Sequence, residues 1–242
     1  MYGERARIGL IVPASNTVCE PEYVKLSPEG VAVYASRVLF EPTIEGLRTM
    51  KDHVDRAAGE LASEEISDII VFCCTVGSMM GGPNADREMA AFIEDATGSP
   101  AITTTTAVRA AMHALGLRRI AVATPYTREI NALERGLLEA MGYEVTDMRG
   151  VHEDVAPGDL RNDMIGRLGP ESALRAALEV DGEDNRGIFI SCTNFRAIEI
   201  IEDLERETGK PVVTSNQAGM WYSLRSLGLT EPVSGYGRLL EL

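Results

Sequence analysis

The feature that most limits how this chain can fold is that it repeats itself once. An apolar run, Val71-Phe72, ends in Cys73-Cys74 and breaks into Thr75-Val76-Gly77-Ser78; a second, Ile188-Phe189-Ile190, ends in Ser191-Cys192 and breaks into Thr193-Asn194. Other landmarks recur at almost the same separation. Ile8 to Ile120 is about 112 residues, Cys74 to Cys192 about 118 and Pro100 to Pro211 about 111. A period this long indicates a duplicated unit, not a solenoid. Each half alternates strand-like and helix-like segments, which calls for a parallel sheet wrapped by helices. The expected fold is α/β in two halves, residues 1–117 carrying Cys74 and 118–242 carrying Cys192. The C-terminal segment is free to cross back onto the first half.

Taken in order, Arg7–Val12 reads as the first strand and runs into Pro13-Ala14-Ser15-Asn16-Thr17, a loop rich in helix-capping residues. Val31–Val38 alternates as a strand, and the stretch from Thr43 to Glu65 has helical spacing. After the Cys74 strand, a helix over Ala85–Thr97, a short strand at Pro100–Thr103 and a helix over Ala107–Leu115 follow. The second half repeats the scheme: a strand over Arg118–Thr124, a helix over Glu129–Met141, a strand over Tyr143–Met148, the Cys192 strand, a helix over Ala197–Thr208, then Pro211–Asn216 and a helix over Gly219–Leu227. Gly116, Gly142, Gly209 and Gly228 stand where helices should stop.

In an open α/β sheet, ligands bind beyond the carboxyl ends of the strands, where the next helix directs its free N–H groups. Cys74 and Cys192 fall at such ends, so they are expected to face one small ligand across a cleft. The same position favours thiolate, the form in which cysteine acts as nucleophile or base. The neighbouring polar residues are mostly uncharged: Ser15, Asn16, Thr17, Thr75, Ser78, Thr104, Thr105, Tyr126, Thr127, Thr193, Asn194, Ser215 and Asn216. With backbone N–H groups they suit a small carboxylate, although many of them serve equally well as helix caps. Cys19 and Cys73 are read as small core residues.

Composition removes several other functions. The formal net charge of −14 excludes ordinary nucleic-acid binding, which needs clustered basic residues. No apolar run approaches the ~20 residues needed to span a membrane, and Arg5-Ala6-Arg7 leads into a strand with no cleavage-site pattern, so a cytoplasmic protein is expected. His53, His113 and His152 are scattered and no Cys-x-x-Cys occurs, which leaves no metal site. No Gly-x-Gly-x-x-Gly or phosphate loop is present, so no cofactor is expected. Only Lys25, Lys51 and Lys210 are lysine; this acidic, arginine-rich balance suits a high-salt cytoplasm and arises equally from GC-rich codons. The apolar helix face of Ile198, Ile201 and Leu204 can pack within one chain or between two, and a homo-oligomer, dimer or tetramer, is expected.

Several motifs together resemble the aspartate/glutamate racemase superfamily, and within it the maleate cis–trans isomerase and arylmalonate decarboxylase group. They are Gly9-Leu10-Ile11-Val12-Pro13-Ala14-Ser15-Asn16-Thr17, Cys74-Thr75-Val76-Gly77-Ser78, Thr124-Pro125-Tyr126, Asn162 with Ile165-Gly166-Arg167, Ser191-Cys192-Thr193-Asn194 and Ser215-Asn216-Gln217-Ala218. The resemblance implies two pseudo-symmetric Rossmann-like halves with parallel sheets, the active site in the cleft between them, and chemistry without cofactor or metal. It implies Cys74 and Cys192 as the catalytic pair and Asn16, Tyr126 and Asn162 as the holders of substrate carboxylates, with Thr75, Ser78, Thr193 and Asn194 beside them. Val76 departs from the serine usual there among the isomerases. Arylmalonate decarboxylases keep only the second cysteine, so Cys74 points to isomerisation of a maleate-like cis-dicarboxylate. Two alternatives remain: a two-cysteine amino-acid or hydantoin racemase, and a non-catalytic ligand-binding or accessory protein of amino-acid catabolism.

Overall fold

The computed structural model describes residues 2–39, 43–156 and 158–242, and of residues 47, 48, 51 and 52 the backbone alone. Chain order runs β1 (Ala6–Pro13), α1 (Cys19–Leu26), β2 (Val31–Val38), α2 (Ile44–Thr49), α3 (Val54–Ala62), β3 (Ile69–Phe72), α4 (Thr75–Met79), α5 (Ala85–Thr97), β4 (Ala101–Thr103) and α6 (Thr104–Ala114). It continues with β5 (Arg119–Thr124), α7 (Arg128–Ala140), β6 (Glu144–Gly150), α8 (Asn162–Gly166), α9 (Pro170–Val180), β7 (Gly187–Ile190), α10 (Ile201–Thr208), β8 (Val212–Thr214) and α11 (Ser215–Ser226).

The strands form two four-stranded sheets with matching orders, β2-β1-β3-β4 and β6-β5-β7-β8, and every pairing is parallel. The duplication read from the sequence is thus a duplication of topology. β3 and β7 occupy equivalent central positions, and all four residues of each are buried. Their continuous apolar character follows from having helices on both faces. Each sheet's last strand hands over to a helix capped by its own final threonine. Thr103 Oγ1 accepts the N–H of Thr106 and Thr214 Oγ1 that of Gln217, at 3.1 and 3.2 Å. These caps start α6 and α11 three to four residues earlier than apolar spacing alone indicates, because the capping hydroxyl satisfies N–H groups that periodicity does not register.

The C-terminal helix α11 packs against α6 and α1, which belong to the first sheet's layer. Gly219 makes that approach possible, since a Cβ there would lie 1.8 Å from the Tyr23 hydroxyl. The helical stretch from Thr43 to Glu65 is broken into α2, a 3₁₀ turn at Met50–His53, α3 and a second turn at Ser63–Glu65. Glu64 and Glu65 there take positive φ, 53° and 55°, which stops the helix without a glycine. The expected helix over Ala197–Thr208 begins as a 3₁₀ turn at Ile198–Ile200 before becoming α10. Its face of Ile198, Ile201 and Leu204 is fully buried within the one chain.

Candidate active site

Cys74 follows β3 and occupies the N-cap position of α4, and Cys192 follows β7. Both are 7% exposed, and both line one enclosed cavity of about 30 Å³. The cavity's other walls are Pro13, Asn16, Thr75, Val76, Tyr126, Ile130, Asn162, Ile165, Thr193 and Asn194. They come from the ends of β1, β3, β5 and β7 and from α7 and α8, so both halves contribute. Among the described residues no charged side chain lines it. Its volume is that of one or two waters, so a four-carbon diacid enters only as the lining side chains move. A larger cavity of about 590 Å³ opens at the other end of β5, beside Asp86, Arg109, Tyr143 and Tyr222, and holds neither cysteine.

Local backbone positions each thiol. Gly77 lets Cys74 fold back over the first turn of α4, where a Cβ would stand 2.7 Å from Sγ, and the Gly77 N–H bonds the sulfur. Cys192 has φ 116°, a conformation that favours glycine, and its Sγ accepts the N–H of Asn194 at 3.3 Å. The Tyr126 hydroxyl also bonds this sulfur.

These donors favour thiolate, as the sequence predicts, but burial outweighs them. Desolvation pushes each thiol up to about 12, against the N–H of Gly77 at Cys74 and against Tyr126 and the Asn194 and Phe195 N–H groups at Cys192. Burial, and then the Cys192 thiol beside it, push the Tyr126 phenol well above its usual value. Both thiols and the phenol are therefore held in their neutral forms.

The polar residues predicted from the sequence fall into two groups. Asn16, Thr75, Tyr126, Asn162, Thr193 and Asn194 line the cavity, whereas Ser78 does not. The Ser78 hydroxyl is engaged by the Thr75 carbonyl at 3.0 Å and Thr105 Oγ1 at 2.7 Å, so it ties α4 to α6. Most of the lining amides are also structural. Asn16 Oδ1 caps α1 through the N–H groups of Val18 and Cys19, at 3.0 and 2.9 Å, while its Nδ2 donates to Thr193 Oγ1 at 3.0 Å. Asn194 bridges the halves, accepting the Thr17 N–H at 2.9 Å and donating to the Asn162 carbonyl at 2.8 Å. Asn162 in turn donates to Ser15 Oγ at 2.9 Å.

Of the buried carboxyls that escape sequence reading, two lie behind the cysteine turns. Glu22 of α1 accepts the N–H groups of Ala197 and Ile198 and the amide of Asn216. Glu134 of α7 accepts the hydroxyl of Ser191, the residue before Cys192, at 2.5 Å. The second had a visible signal. Ile130, Glu134 and Leu138 stand four apart on the buried face of α7, so an acid interrupts an apolar stripe.

The profile of the family described as arylmalonate decarboxylase matches residues 8–240. This chain belongs to that family. Among its members, a maleate isomerase of Nocardia farcinica is 32% identical over 97% of this chain and 95% of its own. A cysteine-to-alanine variant of the maleate isomerase of Pseudomonas putida S16, solved with maleate, superposes with a TM-score of 0.89 at 28% identity, over 98% of this chain and 97% of that one. A cysteine-to-serine variant of the Nocardia farcinica maleate cis–trans isomerase carries a covalently bound succinylcysteine intermediate; it superposes with a TM-score of 0.88 at 27% identity, over 98% of each chain. The two-sheet fold found here is thus shared, over nearly the whole chain, with solved maleate isomerases.

Proposed function

We propose that this chain isomerises a small cis-dicarboxylate of the maleate type to its trans form, using its two cysteines. One observation carries the reading: a cysteine from each half opens on the same enclosed, uncharged cavity. The succinylcysteine formed by the Nocardia farcinica relative supports the same covalent route.

Cys74 is the nucleophile. Its thiol passes its proton to a carboxylate of the entering diacid, which returns it when the product leaves; burial opposes the ionisation and the Gly77 N–H favours it, and the sulfur forms a bond to one alkene carbon. The π pair moves to the other carbon and into its carboxylate, giving an enediolate. The Cys192 thiol delivers its proton to that carbon, leaving a succinyl thioether on Cys74. Rotation about the resulting single bond brings the carboxylates trans. The Cys192 thiolate then takes the proton back as the C–S bond breaks, and the trans diacid leaves with both cysteines restored. Asn16, Tyr126, Asn162, Thr75, Thr193 and Asn194 hold the carboxylates, and Ser78 acts from behind by fixing the turn that carries Cys74. The units that close on the substrate are residues 1–117 and 118–242.

The test follows maleate by proton NMR in deuterated buffer. Appearance of fumarate, abolished by Cys74→Ser, is the expected result. Inertness towards maleate and citraconate overturns the reading, and stoichiometric deuterium at Cα of aspartate or glutamate points to a racemase instead. The cytoplasmic setting is part of the same reading; among the described residues no helix is long and apolar enough to cross a membrane. The homo-oligomer, dimer or tetramer, now lacks the support of the Ile198, Ile201 and Leu204 face, and sedimentation velocity decides it.

A further inference from the structure

The isomerisation needs one thiol to part with its proton while the other, only a cavity's width away, keeps it. Both thiols are equally buried and both are bonded by backbone N–H groups; among the lining residues the Tyr126 hydroxyl bonds Cys192 alone and favours charge there, so the lining does not make Cys74 the one that ionises. A group with the opposite effect lies one layer behind.

Glu134 is fully buried on α7, and its single hydrogen-bond partner is Ser191 Oγ, which fixes Oε1 one residue from Cys192. The other oxygen, Oε2, is buried with no partner. Behind Cys74 the residue that corresponds to Ser191 is Cys73, whose thiol points back at the Val71 carbonyl, 3.5 Å away, and faces Cys19 and Tyr23 of α1, while the acid of that helix, Glu22, is engaged by Ala197, Ile198 and Asn216. An acid at Glu134 serves no evident packing need, since Ile130 and Leu138 on either side fill that stripe. The titratable groups facing it are the Cys192 thiol at the end of β7, the Tyr126 phenol at the end of β5 and, more remotely, the Cys74 thiol at the end of β3. Among the described residues no cation pairs with it.

We infer that Glu134 is a positioning residue that keeps Cys192 in its thiol form, acting from behind the turn through Ser191, and so assigns the proton-donor role to Cys192 and the nucleophile role to Cys74. A carboxylate at Glu134 disfavours a second negative charge on Cys192, so when one proton leaves the pair it leaves Cys74. Burial raises the Glu134 carboxyl to about 7, partly offset by the Ser191 bond, so the bias switches on through neutrality and is complete at mildly alkaline pH.

This inference rests on the proposed isomerase reading for its meaning, but the test does not depend on turnover. The wild-type protein, Glu134→Gln and Ser191→Ala are treated with iodoacetamide between pH 6 and 9.5, and modification of the Cys74 and Cys192 peptides is followed separately by mass spectrometry. Glutamine keeps the shape and removes the charge. Alanine at 191 strands the carboxyl without a donor and drives it towards the neutral acid. Both variants should alkylate Cys192 about tenfold faster than wild type at pH 8, the scale of removing one nearby unit charge inside a protein, with a smaller change at Cys74. If fumarate formation is present, Glu134→Gln should bring the alkaline fall of kcat to lower pH with KM within twofold. A merely structural role lowers Tm without moving the Cys192-to-Cys74 ratio. Folded variants whose ratio and pH dependence stay within twofold of wild type overturn the inference, as does slower Cys192 modification in Glu134→Gln. Should the protein prove inert towards every diacid, the isomerase reading fails while the alkylation result still stands or falls by itself.

Discussion

The hydroxyls of Thr75 and Ser215 lie 2.9 Å apart, and Ser215 Oγ also accepts the backbone N–H of Cys192 at 3.0 Å. Since that lone pair is taken, a two-hydroxyl bridge runs from the residue after Cys74 to the backbone of Cys192 itself. Both cysteine turns are thereby fixed relative to each other by one serine at the start of α11. Ser215→Ala leaves the Cys192 N–H and the Thr75 hydroxyl buried without partners, which costs about 1–3 kcal/mol. We expect a lower Tm and, because near-attack geometry is lost, a larger fall in kcat than rise in KM for maleate. Thermal denaturation with steady-state kinetics checks both, and a kcat equal to wild type removes the bridge from the mechanism.

The backbone at Cys192 gives a second expectation. A non-glycine residue at φ 116° costs on the order of 1–3 kcal/mol, sustained here by the Ser215, Asn194 and Ser191 contacts around it. Cys192→Gly should therefore unfold at a higher temperature than Cys192→Ala, although neither retains the thiol and neither should turn over maleate. Differential scanning fluorimetry of the pair is sufficient, and equal midpoints would show that the backbone stores no strain.

The raised thiols should make the protein slow to alkylate. With each pushed up to about 12, Cys74 and Cys192 should react with iodoacetamide at pH 7.5 more slowly than free glutathione, and the rate should keep rising beyond pH 9. Here the sequence points the other way, since a strand end followed by helix N–H groups lowers a thiol's pKa. Reactivity above that of glutathione would mean that the donors win over burial after all.

Glu22 links pH to stability. Desolvation raises its carboxyl to about 7, against the lowering effect of Asn216 and the Ala197 and Ile198 N–H groups. A carboxyl raised in the folded state binds its proton more tightly there than when unfolded, so stability is greatest below about pH 4.5 as far as this group is concerned. It declines as pH rises to about 7 and is level above that. The full effect is about 3 kcal/mol. Glu22→Gln should flatten part of this slope, with Glu134 supplying a similar part. Turning the Asn216 amide so that Oδ1 accepts the new amide takes its Nδ2 from the Thr193 carbonyl, 3.0 Å away, so the variant carries a pH-independent cost and the slope with pH, not the absolute stability, is what reports on Glu22. Urea denaturation at pH 5 and pH 7.5 measures the difference, and an unchanged slope in the variant excludes Glu22 as its source.

Much of this was legible in the sequence, for identifiable reasons. Apolar runs such as Ile69–Phe72 and Gly187–Ile190 carry the strand signal because both faces of those strands are buried, and the fixed offset between Cys74 and Cys192 exposes the duplication. What a one-dimensional pattern could not carry was the balance of opposing effects at a single point. The N–H groups around each thiol are implied by local sequence, while the desolvation that outweighs them depends on Ile130 and Ile165 arriving from elsewhere. Ser78 looked equivalent to Thr75 because both follow Cys74, yet α4 turns one into the cavity wall and the other towards Thr105. The helix over Thr43–Glu65 has unbroken apolar spacing, and nothing in it announces positive φ at Glu64 and Glu65.

Val76 is the remaining departure, and its position makes the last expectation specific. It is 1% exposed, two residues beyond Cys74, and lines the cavity together with Ile130, Ile165 and Pro13, so an apolar wall stands where the resemblance implies a hydroxyl. With no cation among the described lining residues, a bound dicarboxylate relies on neutral donors, and each missing donor weakens its hold. Val76→Ser restores one and removes two methyl groups. It should lower the KM for maleate about threefold to tenfold, the net worth of one ordinary hydrogen bond, while reducing stability by about 1–2 kcal/mol. The methyl-substituted citraconate should lose ground relative to maleate in the variant, because the apolar wall that receives an alkyl group is smaller. Kinetics with both diacids on both proteins gives the four constants required. A Val76→Ser enzyme with an unchanged maleate-to-citraconate preference would show that this wall does not read the substrate.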